Sequence, residues 1–341
     1  MLVILADDLT GALDSAAPFA GRGLRTEVAL ALDSVDAALA DAPDILVVNV
    51  KSREVSADEA RKATSDVLKH IPESARIFKK VDSRLKGNIE AELDATPFAR
   101  AVVAPAIPDF GRIVVDGHVR GFGVEAPIPV AERFGRHAGR TLIPDTMSRT
   151  DMLAALASAE AAGCDLMIGA RGLADALAHL MTDSETLPLI PLPRQPILIV
   201  VGSRDPITVE QVDVLRENHS TEYVPAAGGR VQQPSAPATV TIIQATEGVT
   251  PLGPAEVSAN LADSVVPAFT GGAATLLLTG GATAEAVLER MGVSRFRLLG
   301  ECMPGIALAF ADGRYIITKS GGFGGPDTLS DIARQIMGEA R

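Results

Sequence analysis

The sequence predicts an α/β protein of two domains, each a largely parallel sheet flanked by helices, with an active-site cleft between them. Three observations carry that prediction. Short β-branched runs alternate with helical patterns, the order expected of a parallel sheet covered by helices. At 341 residues the chain exceeds the roughly 100–200 residues that one core usually holds. A cluster of prolines (Pro188, Pro191, Pro193 and Pro196) breaks the alternation near the middle, and a linker is expected over 187–196. The expected domains are residues 1–190 and 197–341.

Taken in order, the first expected strand is 2–6, LVILA. Asp7 and Asp8 follow it where a signal peptide would still be hydrophobic, so the run reads as a buried strand rather than a leader. Further strands are expected at 45–50, 77–81, 101–104 and 166–170. Between the second and third, Ser56 and Glu59 stand at capping-box spacing, and a helical pattern runs on toward Leu68. Beyond the linker, strands are expected at 197–201, 239–244, 275–278 and 315–318, with helices after Thr208, which has Gln211 three residues on, and after Thr283. Residues 226–237, rich in Gly, Gln and Pro, read as a surface loop.

Composition excludes several function classes. No apolar run reaches the roughly 20 residues that span a bilayer, so no membrane partner is expected. The formal net charge of −12 repels a phosphate backbone, and no Lys/Arg block interleaved with aromatics offsets it, so nucleic acid is not an expected partner either. Only Cys164 and Cys302 occur, outside any CxxC spacing, which fits a reducing, cytoplasmic setting. His70, His118, His137, His179 and His219 are scattered with no ligand-like spacing, and no protein-only metal site is expected. The oligomeric state stays open, a homo-oligomer included.

In open α/β sheets ligands bind beyond the carboxyl ends of the strands. In the first domain those ends are strongly polar: Asp7 and Asp8, then Lys51, Ser52 and Arg53, then Lys79, Lys80, Asp82, Ser83, Arg84 and Lys86. Cations grip a carboxylate, while Asp accepts hydrogen bonds from hydroxyls or takes a proton from one. Asp and Ser at such positions also serve as plain helix caps. In the second domain the ends carry small residues: Gly202 and Ser203, Gly280–Gly281–Ala282–Thr283, and the run Lys319-Ser-Gly-Gly-Phe-Gly-Gly325. Glycine turns let backbone N–H groups reach an anion, although glycines at such turns are often turn residues and nothing more. Neither GxxxxGK[ST] nor a GxGxxG before a helix is present. Asp116, His118 and Arg120 read as a loop lining the cleft. The residues alone lead to a charged small-acid site on one domain and a phosphate-friendly site on the other.

Seven ordered motifs carry a resemblance: ADDLTGALD at 6–14, KKVDSRLKGN at 79–88, PAIPDFGRIVVDGHVRG at 105–121, VGS at 201–203, TGGATAEAVL at 279–288, GECMPGIAL at 300–308 and KSGGFGGPDTL at 319–329. The chain resembles the four-carbon acid sugar kinases, a family that includes threonate, erythronate and 3-oxo-tetronate kinases. The resemblance implies an N-terminal domain for the sugar acid and a C-terminal domain for ATP, with Mg2+ required. Carried over by residue, it implies Asp8 and Asp82 as catalytic candidates, with Asp7, Arg53, Lys80, Ser83 and Arg84 on the substrate. Ser203, Gly280, Gly281, Ala282, Thr283, Gly321, Gly322 and Gly324 would hold the nucleotide. A hydroxyl of the acid would attack the γ-phosphate, with the acid's carboxylate held by Arg53 and Lys80.

The sequence departs from the family pattern in three ways. The usual Asp-Ser-Thr and Leu-Arg-Gly appear as Asp82-Ser83-Arg84 and Leu85-Lys86-Gly87, exchanging a two-pronged cation for a single ammonium at Lys86. The usual Ser-Gly-Gly-Glu-Thr appears as Thr279-Gly280-Gly281-Ala282-Thr283, without its carboxylate. The chain is also shorter than typical members. These departures leave room for a catalytically silent sugar-acid and nucleotide-binding relative. A nicotinamide-dependent oxidoreductase is a weaker alternative, because the dinucleotide fingerprint is missing.

Overall fold

Every residue of β1 (Leu2–Ala6) is buried, as expected of an apolar strand between two others in a sheet covered on both faces. The computed structural model describes residues 1–182, 190, 193–232 and 238–338, in two compact units, Met1–Pro188 and Leu189–Arg341. Of the expected linker, residues 187–189 and 191–192 lie outside the described residues.

The first unit continues with β2 (Thr26–Ala29), β3 (Ile45–Asn49), β4 (Arg76–Lys80), β5 (Ala101–Ala104), β6 (Arg112–Val115), β7 (His118–Gly121), β8 (Ile128–Pro129), β9 (Thr141–Leu142) and β10 (Leu166–Gly169). Its helices are α1 (Leu9–Ala20), α2 (Val35–Ala40), α3 (Ala57–Leu68), α4 (Ile89–Ala95), α5 (Arg149–Ala161) and α6 (Arg171–Leu180). Seven strands form a parallel sheet in the order β2-β3-β1-β4-β10-β5-β9. From β1 the chain moves toward β2, whereas from β3 it returns past β1 to β4. Right-handed crossovers running in opposite directions place their helices on opposite faces, so the connections part beside β1. Register aligns the strand ends: Ala6 lies opposite Asn49 on one side and Lys80 on the other. The polar residues that follow these three strands therefore emerge along one rim.

The capping box expected at Ser56 forms as its spacing requires. Ser56 Oγ accepts from Glu59 N at 3.3 Å, and Glu59 Oε2 accepts from Ser56 N at 2.9 Å. The loop expected around Asp116 is instead the tip of an antiparallel hairpin, β6 with β7, extended by β8. Asp116 and Gly117 both have positive φ, 50° and 70°, the backbone that a two-residue Asp-Gly hairpin turn demands.

The second unit contains β11 (Ile197–Val201), β12 (Glu222–Ala227), β13 (Arg230–Val231), β14 (Val240–Thr246), β15 (Thr275–Thr279), β16 (Arg295–Met303), β17 (Ile306–Ala311) and β18 (Arg314–Lys319), with helices α7 (Pro206–Asn218), α8 (Pro254–Val265), α9 (Gly281–Arg290) and α10 (Thr328–Met337). Strands β12, β14, β11, β15 and β18 run parallel in that order, and β17 lies antiparallel to both β18 and β16. Val201 lies opposite Thr279, and Thr279 opposite Lys319, so the three glycine-bearing turns also leave from one rim. Ile199, Val212, Leu277, Ile317 and Leu329 are among the buried side chains that pack α7 and α10 onto this sheet, each contributing about 1.5–3 kcal/mol by burial.

Three expectations are corrected here. Helix α7 starts at Pro206 rather than after Thr208, because Asp205 caps it, accepting from Ile207 N at 3.1 Å, and proline suits the first helical position. Helix α9 starts at Gly281, capped by Gly280, and Thr283 is buried inside it. Part of 226–237 is structured: β12 turns through Gly228 and Gly229 into β13, while 233–237 lie outside the described residues. Among the described residues, no helix is long and apolar enough to cross a membrane.

Candidate active site

In the first unit Asp7, Asp8, Arg53, Lys80, Asp82, Ser83 and Arg84 all lie at the rim beyond β1, β3 and β4. Arg53 donates to Asp7 through Nε and Nη2, both at 2.8 Å, and to Asp8 Oδ2 through Nη1 at 2.5 Å. Its two-pronged edge is thus taken by Asp7, and an incoming acid would meet only the remaining N–H groups. Burial opposes ionisation of Asp7, which is 2% exposed. The Arg53 hydrogen bonds and the fields of Lys79 and Lys80 outweigh it and hold the carboxyl below its ordinary value.

Asp8 also caps α1. Its Oδ1 accepts from Gly11 N at 2.9 Å and its Oδ2 from Thr10 Oγ1 at 2.8 Å, so the capping reading holds for this residue. Asp82 is less encumbered. Its Oδ1 accepts from Arg84 N at 2.9 Å and Lys86 N at 3.4 Å, while Oδ2 has no hydrogen-bond donor among the described residues.

The adjacent lysines of β4 point to opposite faces, as a strand's alternation requires. Lys79, fully buried, pairs with Glu92 at 3.0 Å, and Glu92 also accepts from Ser52 Oγ. This interior lock ties α4 to the residue before Arg53. Lys80 faces the rim at 4% exposure, yet its ammonium has no hydrogen-bond acceptor among the described residues. Gly11 makes room for it: a Cβ there would lie 2.6 Å from Lys80 Nζ and 2.5 Å from Asp8 Oδ1.

Sequence reading did not single out Arg112. It lies on β6 and donates to Ser83 Oγ at 2.5 Å and, through Nε and Nη2, to the Phe122 carbonyl at 3.0 and 2.8 Å. Burial and the neighbouring Arg84 cation push its pKa down, with Asp82 pulling the other way. The PDFGR stretch contained the residue, but nothing local indicates that a hairpin will fold it back onto Ser83.

In the second unit Ser203, Gly280, Thr283 and Gly321 converge. A Cβ on Gly202 would overlap Thr283 Oγ1, one on Gly321 would overlap Ser203 Oγ, and one on Gly280 would stand 3.6 Å from Ser203 N. Gly280 has φ of 90°, a conformation that only glycine adopts without strain. The loop after β18 is tied down by its carbonyls. Gln211 Nε2 donates to Phe323 O at 3.0 Å and Gly325 O at 2.8 Å, Lys319 Nζ donates to Ser320 O at 2.9 Å and Gly321 O at 3.0 Å, and Thr208 Oγ1 also donates to Gly321 O. The N–H groups of Gly321, Gly322 and Gly324 have no acceptor among the described residues, which leaves them open to an anion.

Ala282 is exposed near the start of α9 and offers no polar group. A carboxylate is available instead at Asp205, whose Oδ2 would lie 3.0 Å from a Cβ on Gly322. Among the described residues no three acidic, histidine or cysteine side chains cluster for a metal. One carboxylate beside these open N–H groups still suits a Mg2+ ion held mainly by phosphates and water. Thr208, Gln211 and Lys319 were read from sequence only as helix-start or strand-end residues and Asp205 was not singled out, because the bonds that join Thr208 and Gln211 to the loop, and Lys319 to Thr208, span more than 100 positions in the chain.

Two family models match the chain: one described as a sugar-binding N-terminal domain over residues 2–132, the other as a nucleotide-binding C-terminal domain over 229–329. The chain is similar along its length to the D-threonate kinase of Cupriavidus necator, at 32% identity over 415 aligned positions, covering 99% of this chain and 98% of that one. The chain belongs to the four-carbon acid sugar kinase family. Other members similar to it are the D-threonate kinase of Salmonella typhimurium (27% identical, covering 97% of each chain) and the 3-oxo-tetronate kinase of Cupriavidus necator (26%, covering 99% and 98%). The alignments exceed 400 positions, more than this member of the family has residues, so those relatives carry segments that it lacks. The fold recurs in crystal structures of a Haemophilus influenzae protein (TM-score 0.72, 18% identity, covering 98% of this chain and 100% of that one) and a Salmonella typhimurium protein (TM-score 0.74, 19%, covering 96% and 98%). For the four-carbon acid sugar kinase pattern, the exchange at Arg84 adds a cation beside Arg112.

Proposed function

We propose that the protein transfers the terminal phosphoryl group of ATP to a hydroxyl of a small sugar acid, such as threonate, erythronate or 3-oxo-tetronate, in the cytoplasm. One observation carries the reading: a rim of carboxylates and cations on the first unit and a rim of unbonded glycine N–H groups on the second, in a chain aligned end to end with D-threonate kinase. In this reading the region 1–190 binds the acid, through Asp7, Asp8, Arg53, Lys80, Ser83 and Arg84. The region 197–341 binds ATP, through Ser203, Gly280–Gly281–Ala282–Thr283, Gly321, Gly322 and Gly324.

The γ-phosphate is attacked by the acid's hydroxyl through a loose transition state, so positioning and charge neutralisation do most of the catalysis. Of the two candidate bases Asp82 is preferred, because its Oδ2 can accept the hydroxyl proton while Oδ1 stays bonded to the loop. Asp8 keeps Arg53 and the start of α1 in place. The N-terminus of α9 and the loop at 321–324 receive the phosphates, and Asp205 would hold Mg2+, which would supply charge neutralisation to them.

The test is ADP release from Mg-ATP in the presence of threonate, erythronate and 3-oxo-tetronate isomers. Release with one of these acids and none without acid is expected. If every acid leaves the rate at background, the reading fails, and thermal stabilisation by acid and nucleotide without turnover would then point to a silent binder.

A further inference from the structure

We infer that Arg112, with Arg84 and Lys80 beside it, is the grip for the substrate's carboxylate and so determines that the protein takes acids rather than neutral polyols. The inference rests on the kinase reading above and moves the carboxylate away from Arg53. Three observations converge. First, the edge of Arg53 that would match a carboxylate is already bonded to Asp7 through Nε and Nη2 at 2.8 Å. Second, Lys80 is 4% exposed and, although Asp7 lies within its field, its ammonium has no hydrogen-bond acceptor among the described residues, which leaves its N–H groups to donate to an anion. Third, Arg112 is fixed by neutral partners only, the Ser83 hydroxyl and the Phe122 carbonyl. The Arg84 guanidinium, two residues after the only acid of that loop, makes no hydrogen bond or ion pair among the described residues.

Charge accounting agrees. The buried and half-buried groups at this rim are Arg53, Lys80, Arg84 and Arg112 against Asp7, Asp8 and Asp82, one positive charge in excess. A monocarboxylate neutralises it, and a polyol does not. Arg112 uses three of its five N–H groups on Ser83 and Phe122, leaving one on each terminal nitrogen for a carboxylate. The hydrogen bonds to Phe122 make the hairpin β6–β7 part of the recognition, since that carbonyl follows β7 directly.

The experiment compares unaltered protein with Arg112→Ala and Arg112→Lys on the best acid of the panel and on the corresponding polyol. With Arg112→Ala, KM for the acid is expected to rise about 100-fold, the scale of lost charge-assisted hydrogen bonds, with KM for ATP unchanged. Arg112→Lys should recover part of this, about tenfold, because it keeps the charge without the fork. Calorimetric titration of the acid without nucleotide should show the same loss, and an unchanged melting temperature excludes misfolding as its cause. If the acid's KM holds while kcat falls, the guanidinium acts on the transferring phosphoryl group and the inference is overturned. An unchanged KM and kcat overturns it as well. If unaltered protein turns over no acid of the panel, the kinase reading itself fails, a result distinct from either.

Discussion

At the scale of single residues, β4 shows how one strand end serves both structure and chemistry. Lys79 locks Glu92 inside, and its neighbour Lys80 faces the rim with no hydrogen-bond acceptor among the described residues. Asp82 has a similar division between its two oxygens. Asp82→Asn should preserve the acceptor that holds the Arg84 and Lys86 amides while removing the base, so turnover is expected to fall about 100-fold or more with nucleotide affinity unchanged. A decrease of less than about tenfold in a steady-state assay would transfer the role to Asp8. Lys319 gives a pH prediction. Burial pushes its ammonium down to about 8 from 10.5, with Asp205 pulling the other way. The fold therefore disfavours the charged form: this group opposes stability below about pH 8, and the opposition lifts as pH rises toward the unfolded value. The loop loses its charged anchor over the same interval. ADP affinity is expected to weaken between pH 7 and 9.5 without loss of global stability. Lys319→Met should bind weakly at every pH, and a flat profile in the unaltered protein would remove this lysine from the role. Strand-end residues such as Asp7, Arg53 and Lys80 were legible because parallel sheets present their carboxyl ends to ligands. Arg112 was not, because its placement depends on a hairpin returning to Ser83.

Among the elements, the parallel strands β1, β3, β4, β5, β10, β11, β14, β15 and β18 were read nearly to their ends, whereas the parallel strands β2, β9 and β12 were not read, being short (β2, β9) or interrupted by charge and proline (β12, EYVPAA). The misreadings fall where short-range chemistry offers two solutions. Thr208 and Gln211 have capping-box spacing, but Asp205 followed by Pro206 is the stronger start, which frees Thr208 and Gln211 to hold the glycine loop. The pair Asp116-Gly117 signals a hairpin as readily as a loop, and β16, Arg295–Met303, went unread although Phe296, Leu298 and Gly300 are buried in alternation along it. The glycine rim is demanding in a different way. Gly321→Ala would drive a methyl into Ser203 Oγ and to 3.2 Å from its Cβ, displacing that hydroxyl and crowding the turn after β11. ATP affinity should fall by about tenfold or more, with the acid's binding unaffected, in paired titrations of each ligand. A selective effect on the acid would contradict the allocation of ligands to units.

For the whole molecule, the two-unit architecture was legible from the repeated strand-and-helix alternation on either side of a proline cluster. The allocation of ligands can be tested on the intact chain by hydrogen exchange. A nonhydrolysable ATP analogue is expected to protect 320–325 and the first turns of α7 and α9, and the sugar acid to protect 82–88 and 112–122. Nucleotide protection at 82–88 with none at 320–325 would overturn it. The alignments with longer relatives show that this chain lacks segments they carry. The opposed lysines of β4 mark where such editing must stop: inserting a single residue ahead of them would bring Phe78 to the place opposite Glu92 and turn Lys80 from the rim to the interior, stranding Glu92 without its counterion. Length variation in this lineage should therefore collect in surface connections and leave that short ribbon untouched.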